Sequence, residues 1–132
     1  MQTYVLLDTT VLIDLLRGRE GAFRRMQRLK RAGDIPTISC ISMEEVARGI
    51  RPEEVERALL LMEGLDPIPV GPDVAWQSGI WRRDHASKGI TLHQSDCIIA
   101  ATARACDARL VTGNPKDFPM PGIEVEHWPV GE

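Results

Sequence analysis

The sequence predicts an α/β domain: a doubly wound, mostly parallel sheet of about five short strands, flanked by helices on both faces. Three observations carry that expectation. The apolar run Val5-Leu6-Leu7 stops abruptly on Asp8, as a buried parallel strand does where its last residue meets the crevice beyond the strand ends. Short strand-like runs then alternate with stretches of helical periodicity, in the approximate order βααβααβαβαβ. Finally, 132 residues, 43% hydrophobic and 27% charged, match one domain with a single core, residues 1–132, and leave no space for a second.

After Asp8, the positions Val11, Leu12, Leu15 and Leu16 recur at three and four, one face of a short helix ending at Gly18. Ala22, Phe23, Met26 and Leu29 continue helical spacing as far as Ala32-Gly33, where glycine supplies a left-handed stop. Ile35-Pro36-Thr37-Ile38 reads as the second strand, with Pro36 tolerable near its start. Ser42-Met43-Glu44-Glu45 has the S-x-x-E pattern of a capping box and opens a short helix that breaks between Gly49 and Pro52. Pro52 suits a first helical position, and Val55, Ala58, Leu59, Met62 and Leu65 form the buried stripe of the helix it starts.

Asp66-Pro67-Ile68-Pro69-Val70 is too rich in proline for a central strand and is expected as a short edge strand, followed by a turn at Gly71-Pro72. Asp73 to Ser87 is a helix carrying Val74, Ala75, Ser78, Trp81 and His85; Trp76 and Trp81 are five apart and do not share a face. Ser95-Asp96 begins a strongly apolar helix from Cys97 to Cys106, whose alanines suit close packing on a sheet. Arg109-Leu110-Val111 is a strand ending at Thr112-Gly113-Asn114-Pro115. Ile123-Glu124-Val125-Glu126 alternates, as an exposed edge strand does.

Composition narrows the function. No apolar run approaches the roughly 20 residues of a membrane span, and the chain opens without a basic segment or cleavage site, so a cytoplasmic protein with no membrane partner is expected. Cys40, Cys97 and Cys106 are odd in number and lack a C-x-x-C pair, which argues against a disulfide framework; His93 and Cys97 alone do not make a zinc site. The net charge is −3, yet seven of the sixteen basic residues fall between Arg17 and Arg31 against the single acid Glu20. That segment can contact phosphates or a partner's acidic surface, or form a solvated helix face. Arg82 and Arg83 are further candidates for phosphate contact. No P-loop or G-x-G-x-x-G is present, so nucleotide-binding enzymes lack their phosphate cradle. The paired acids of a receiver domain and the D-x-D-x-T of a haloacid-dehalogenase phosphatase are absent too.

Five oxygen-bearing residues fall at strand-to-helix ends or helix starts: Asp8, Glu45, Asp96, Asn114 and Asp117. Each has a local alternative: a helix cap for Asp8, the reciprocal member of the capping box for Glu45, a helix-dipole acid for Asp96, a turn former for Asn114, and a solvated loop acid for Asp117. Their common location is what links them. If the strands bearing Asp8 and Asn114 are neighbours where strand order reverses, one crevice collects all five. Carboxylates crowded there repel one another unless a cation is bound, and oxygen donors favour Mg²⁺ or Mn²⁺. The chemistry such a site supports is metal-assisted hydrolysis of a phosphodiester, with one ion or two.

The segments Leu6-Leu7-Asp8-Thr9-Thr10-Val11-Leu12-Ile13, Ile41 to Gly49, Ser95 to Ala103 and Leu110 to Phe118 resemble, in order, the four motif blocks of PIN-domain ribonucleases, and within that family most closely the VapC toxins of bacterial toxin–antitoxin pairs. The resemblance spans nearly the whole chain, through Pro121-Gly122-Ile123 to Trp128. It implies a PIN-like fold and Mg²⁺- or Mn²⁺-dependent endonucleolytic cleavage of RNA that inhibits translation. It also implies neutralisation by a VapB-like antitoxin protein, and a homodimer. By motif position Asp8, Glu45 and Asp96 correspond to the acidic metal-binding triad and are expected to be catalytic, with Asn114 and Asp117 completing the metal site. Thr9 and Thr112 resemble the hydroxyl residues beside those acids. A metal-activated water needs no histidine base, although His85 and His93 can approach the cleft. The alternative from another class is a catalytically silent PIN-like module that binds RNA or protein through the same fold.

Overall fold

The computed structural model describes residues 3–132. Four strands, β1 (Tyr4–Leu7), β2 (Ile35–Thr37), β3 (Arg109–Thr112) and β4 (Val125–His127), form one sheet in the order β2-β1-β3-β4, with every pair parallel. The chain therefore leaves β1 toward one side to make β2, then returns across it to make β3 and β4. The reversal lies between β1 and β3, where a doubly wound sheet opens its crevice.

Six helices connect the strands: α1 (Thr9–Leu16), α2 (Glu20–Arg31), α3 (Cys40–Gly49), α4 (Val55–Glu63), α5 (Pro72–Ala86) and α6 (Gln94–Ala105). Alternation along β1 divides the core. Val5 and Leu7 point into an apolar cluster with α1 to α4, while Leu6 joins Leu110 in a second cluster under α5 and α6. Because β1 is covered on both faces, its sequence is continuously apolar and not alternating. Gly18 (φ +69°) and Gly33 (φ +84°) sit just beyond α1 and α2 as expected, in a conformation that costs glycine little.

The structure corrects the sequence reading at three places. The expected edge strand at Asp66–Val70 reduces to one parallel bridge between Ile68 and Ser39, since Pro67 and Pro69 have no N–H with which to extend it. The sheet thus has four strands in place of about five. Helix α3 begins before Ser42: Ser39 is its cap, accepting from the Ile41 N–H at 3.3 Å, and Ser42 is buried within the helix. Along α4 only Ala58 and Met62 are buried, with Leu65 beyond its end; Val55 and Leu59 are exposed together with Leu60. Of the two tryptophans in α5, Trp81 is in the core and Trp76 is 75% exposed. Among the described residues no helix is long and apolar enough to cross a membrane.

The segment after β4 returns to the helical layer. Trp128 donates its backbone N–H to Thr112 O at 2.8 Å, and the Gly131 N–H reaches Oδ2 of the buried Asp14 at 2.9 Å. Gly21 is required by this return, since a Cβ there would overlap the Glu132 backbone carbonyl.

Candidate active site

The Asp8 N–H bonds Val111 O at 2.9 Å, so this residue still belongs to the β1–β3 ladder when the chain turns into α1. It occupies the cap position of α1, yet its carboxylate makes no cap bond. The side chain turns to the sheet instead, where Oδ2 accepts from Thr112 Oγ1 at 2.7 Å and from Thr10 Oγ1 at 3.0 Å. Those hydroxyls are themselves aimed by the backbone: the Asn114 N–H donates to Thr112 Oγ1 at 3.0 Å, and the Gly113 N–H to Thr10 Oγ1 at 2.9 Å. Both hydroxyls converge on Oδ2, so neither occupies Oδ1. Burial pushes the Asp8 pKa up; the Thr112 and Thr10 hydrogen bonds oppose that, and the nearby Glu45 charge adds to it.

Glu45 lies in the second turn of α3 and is not part of a capping box. Its Oε1 accepts from Thr9 Oγ1 at 2.7 Å. A hydroxyl has one proton to give, so the 3.1 Å contact between Thr9 Oγ1 and Ser42 Oγ must use the serine as donor. Ser42 thereby orients Thr9 toward Glu45. The nearest cation to this carboxylate is Arg48, with Nη2 4.0 Å from Oε2 and its side chain mostly in solvent.

Asp96 lies in the first turn of α6, where the helix dipole favours a negative charge. Its pKa is nevertheless raised to about 6, first by burial and then by the charges of Asp117 and Asp8, with Glu45 adding and His93 opposing. Acids from four separate segments therefore feel one another at Asp96. Asp117 ends a single helical turn, Pro115–Asp117, that follows β3; Asn114 begins that turn, and both residues are exposed. Of the two histidines considered from sequence, His93 stands beside Asp96, whereas His85 Nδ1 lies 2.9 Å from Trp81 O on α5.

The sequence points to the acids and to Thr9 and Thr112, but not to the parts played by Thr10 and Ser42. The doubled threonine after Asp8 is the available signal: successive residues at a helix start face different neighbours, so one hydroxyl serves Asp8 and the other Glu45.

Among the described residues no three histidine, cysteine, aspartate or glutamate side chains stand close enough to enclose an ion by themselves. The side chains gathered here, Asp8, Glu45, Asp96 and Asp117 with Asn114, offer oxygen donors, the chemistry that Mg²⁺ or Mn²⁺ takes and structural zinc does not.

Comparison with known proteins bears on this arrangement. The family model described as PIN domain matches residues 5–119. Ribonuclease VapC19 of Mycobacterium tuberculosis is 31% identical over 115 residues, covering 87% of this chain and 92% of its own length. A toxin–antitoxin complex from Klebsiella pneumoniae contains a chain 31% identical that superposes with a TM-score of 0.76, over 96% of this chain and 99% of that one. VapBC2 from Rickettsia felis, solved bound to a DNA fragment from its promoter, gives a TM-score of 0.83 over 96% and 99% at 23% identity, a likeness of fold.

Proposed function

The chain belongs to the PIN domain family, of the VapC type, and on that premise we propose that it is a divalent-metal-dependent endoribonuclease, the toxin of a toxin–antitoxin pair, acting in the cytoplasm. The observation that carries the reading is the gathering of Asp8, Glu45, Asp96 and Asp117 at the reversal point of the sheet, where burial first and then the neighbouring acids raise the Asp96 pKa to about 6. A fold does not keep such a cluster for stability.

Asp8, Glu45 and Asp96 are the residues proposed to hold Mg²⁺ or Mn²⁺, with Asn114 and Asp117 at the rim. The bound ion would lower the pKa of a water and offset charge on the phosphodiester. The chain's own contribution is positioning. Thr112 and Thr10 fix Asp8 through Oδ2, and Thr9, oriented by Ser42, fixes Glu45. Hydroxyl partners of this kind set carboxylate orientation at metal sites.

The partners proposed with this activity are an RNA substrate, a VapB-like antitoxin protein and a second copy of the chain. The exposed apolar residues Val55, Leu59 and Leu60 on α4 and Trp76 on α5 are surface that protein partners would cover. Inhibition of translation follows if the RNA cut is one that protein synthesis needs.

The test is cleavage of labelled RNA by the parent and by Asp8→Asn, with Mg²⁺ or Mn²⁺ and then with EDTA. Cleavage that needs the metal and is lost with Asp8→Asn is expected. Cleavage indifferent to both overturns the mechanism, and RNA binding without cleavage under any metal identifies the silent module instead.

A further inference from the structure

Charge in this molecule is segregated. Residues 17–31 carry seven basic groups and one acid, while the remaining positions carry nine basic groups against eighteen acids. Most of the segment is α2, which buries Ala22, Met26 and Leu29 and leaves its other face to solvent. Arg24, Arg28 and Arg31 stand at i, i+4 and i+7 on that face, a line spanning about 10 Å. Only Arg25 has an acidic partner among the described residues, Glu132 at 3.9 Å. Arg17, Arg19, Arg24, Arg28, Lys30 and Arg31 are exposed without an ion pair among the described residues.

This face is continuous with the acidic site. A depression between α1 and α3 has Glu45 in its wall together with Ile13, Leu16 and Arg17. A second depression of about 570 Å³ shares Arg17 and is bounded by Arg19, Arg24 and Arg25, with Glu20 and Glu132 the acids beside them. A third of about 350 Å³ shares Arg24 and is walled by Phe23, which is 54% exposed. The path thus runs from a proposed cleavage residue to an exposed aromatic ring beside Arg24, with Glu20 the one acid next to it.

We infer that α2 is the docking surface for the single-stranded RNA flanking the cleavage point, with Arg24, Arg28 and Arg31 on phosphates and Phe23 under a base. The inference rests on the ribonuclease reading above and adds where, away from the cut, the substrate is held. Guanidinium forks match phosphate oxygens two at a time. An exposed aromatic ring beside Arg24 adds stacking, which every nucleic-acid base can use and a carboxylate side chain cannot. On an otherwise acidic protein such a face also steers a polyanion to the cleft from one direction.

The test is binding of a fluorescent single-stranded RNA of about a dozen nucleotides, in EDTA so that the strand stays whole, across a series of salt concentrations. It compares the parent with Phe23→Ala and with the triple variant Arg24→Gln/Arg28→Gln/Arg31→Gln. All four positions are exposed, so melting temperatures should stay at the parental value, and the single variants Arg24→Gln and Arg28→Gln grade the effect if the triple one does not fold. The triple variant should weaken binding at low salt and flatten the slope of log K against log salt by about 2, near 0.7 for each phosphate no longer neutralised. Phe23→Ala should weaken binding about tenfold at every salt concentration. Lys88→Gln, an exposed cation just beyond α5, serves as the control. Unchanged slope in the triple variant, or an equal loss with Lys88→Gln, overturns the inference. So does RNA binding left intact while binding of an acidic polypeptide such as polyglutamate is lost, which assigns the face to a protein. Binding lost from α2 variants of a protein that never cleaves RNA removes the nuclease reading and leaves this one standing; cleavage of long RNA with unaltered KM in the triple variant does the reverse.

Discussion

The two ends of β3 treat charge in opposite ways. At its start, Arg109 stands between two carboxylates, Asp34 at 3.7 Å and Glu126 at 3.3 Å, and the three partly exposed groups offset one another. At its end, Thr112 offers only a hydroxyl to Asp8, while Glu45, Asp96 and Asp117 approach from other segments, and the only positive groups beside them among the described residues are the solvent-exposed Arg48 at Glu45 and His93 at Asp96. One short strand separates an arrangement that serves folding from one that works against it. The lesson is that acids at a site are read by what compensates them. Where the chain supplies the counter-charge the role is structural, and where it supplies chiefly orienting hydroxyls the arrangement is the one the proposed cation would balance.

The sharpest way to break this contrast is to remove one charge from each end. Asp96→Asn should abolish RNA cleavage, by about a thousandfold if the ion it helps to hold stabilises the transition state by several kcal/mol. The same substitution should raise the stability of the metal-free protein, by roughly 1 kcal/mol once solvent screening at this half-buried group is allowed for. Arg109→Gln should do the opposite. It leaves Asp34 and Glu126 without their partner and costs about 1 kcal/mol, since both carboxylates keep contact with water, with kcat of the folded protein unchanged. Thermal melts beside single-turnover cleavage give both readouts. An Asp96→Asn protein that is both inactive and less stable would mean that Asp96 is structural.

Next in size is the hydroxyl at the end of β3. Thr112→Val keeps the shape of a fully buried side chain but removes the 2.7 Å bond to Asp8 and the acceptor for the Asn114 N–H. Loss of an orienting partner of this kind typically costs about 10- to 100-fold in metal affinity or activity. Titration with Mn²⁺ should show the loss mainly as a higher metal requirement, partly overcome at high concentration. A variant weakened equally at all metal concentrations would assign Thr112 to packing.

A smaller and reversible effect is expected from pH. Asp96 holds its proton to about pH 6 in the folded chain, against 3.8 as an ordinary carboxyl, and Asp8 is shifted in the same direction. Between those two values the folded state binds more protons than the unfolded one. Metal-free stability should therefore fall as pH rises from about 4 to 6 and level off above. Saturating Mg²⁺ or Mn²⁺ should remove that slope by favouring the ionised acids, and cleavage should show an acid limb, falling below about pH 6, with a midpoint that moves down as metal is added. Stability that rises across this window in EDTA would contradict the crowding of acids around Asp96.

How much of this is legible in the sequence follows from the range over which each feature is decided. The end of β1 at Asp8 can be read because burial on both faces forces an unbroken apolar run, and a carboxylate cannot continue it. Glu45 and Asp96 are legible as acids near the starts of helices that follow strands or loops at the same end of the sheet. Ser42 misleads because a serine three residues before a glutamate fits a cap locally, while Ser39 wins by accepting the Ile41 N–H at the true start of α3. The exposure of Val55 and Leu59 is equally hidden: periodicity shows which residues share a face of α4, but not how wide a surface the rest of the fold can cover. The segment around Ile68 reads correctly as peripheral, and its prolines leave less of a strand than expected. The paths that join Thr10 to Asp8 and Thr9 to Glu45 depend on side-chain direction across the sheet, which no spacing along the chain encodes.

The finest distinction concerns the rim. Asp117 is exposed, yet after burial its charge is the largest influence raising the Asp96 pKa. If it acts only through that field, Asp117→Asn should let Asp96 ionise at lower pH, moving the acid limb of cleavage downward while the plateau changes little. Asn114→Asp, which adds a charge to the same rim, should move the limb the other way. If Asp117 binds the ion directly, the plateau itself falls and the metal requirement rises, as for Asp96→Asn. The displacement of the limb therefore measures how far repulsion alone accounts for this end of β3, and the height of the plateau measures how many of its acids touch the cation.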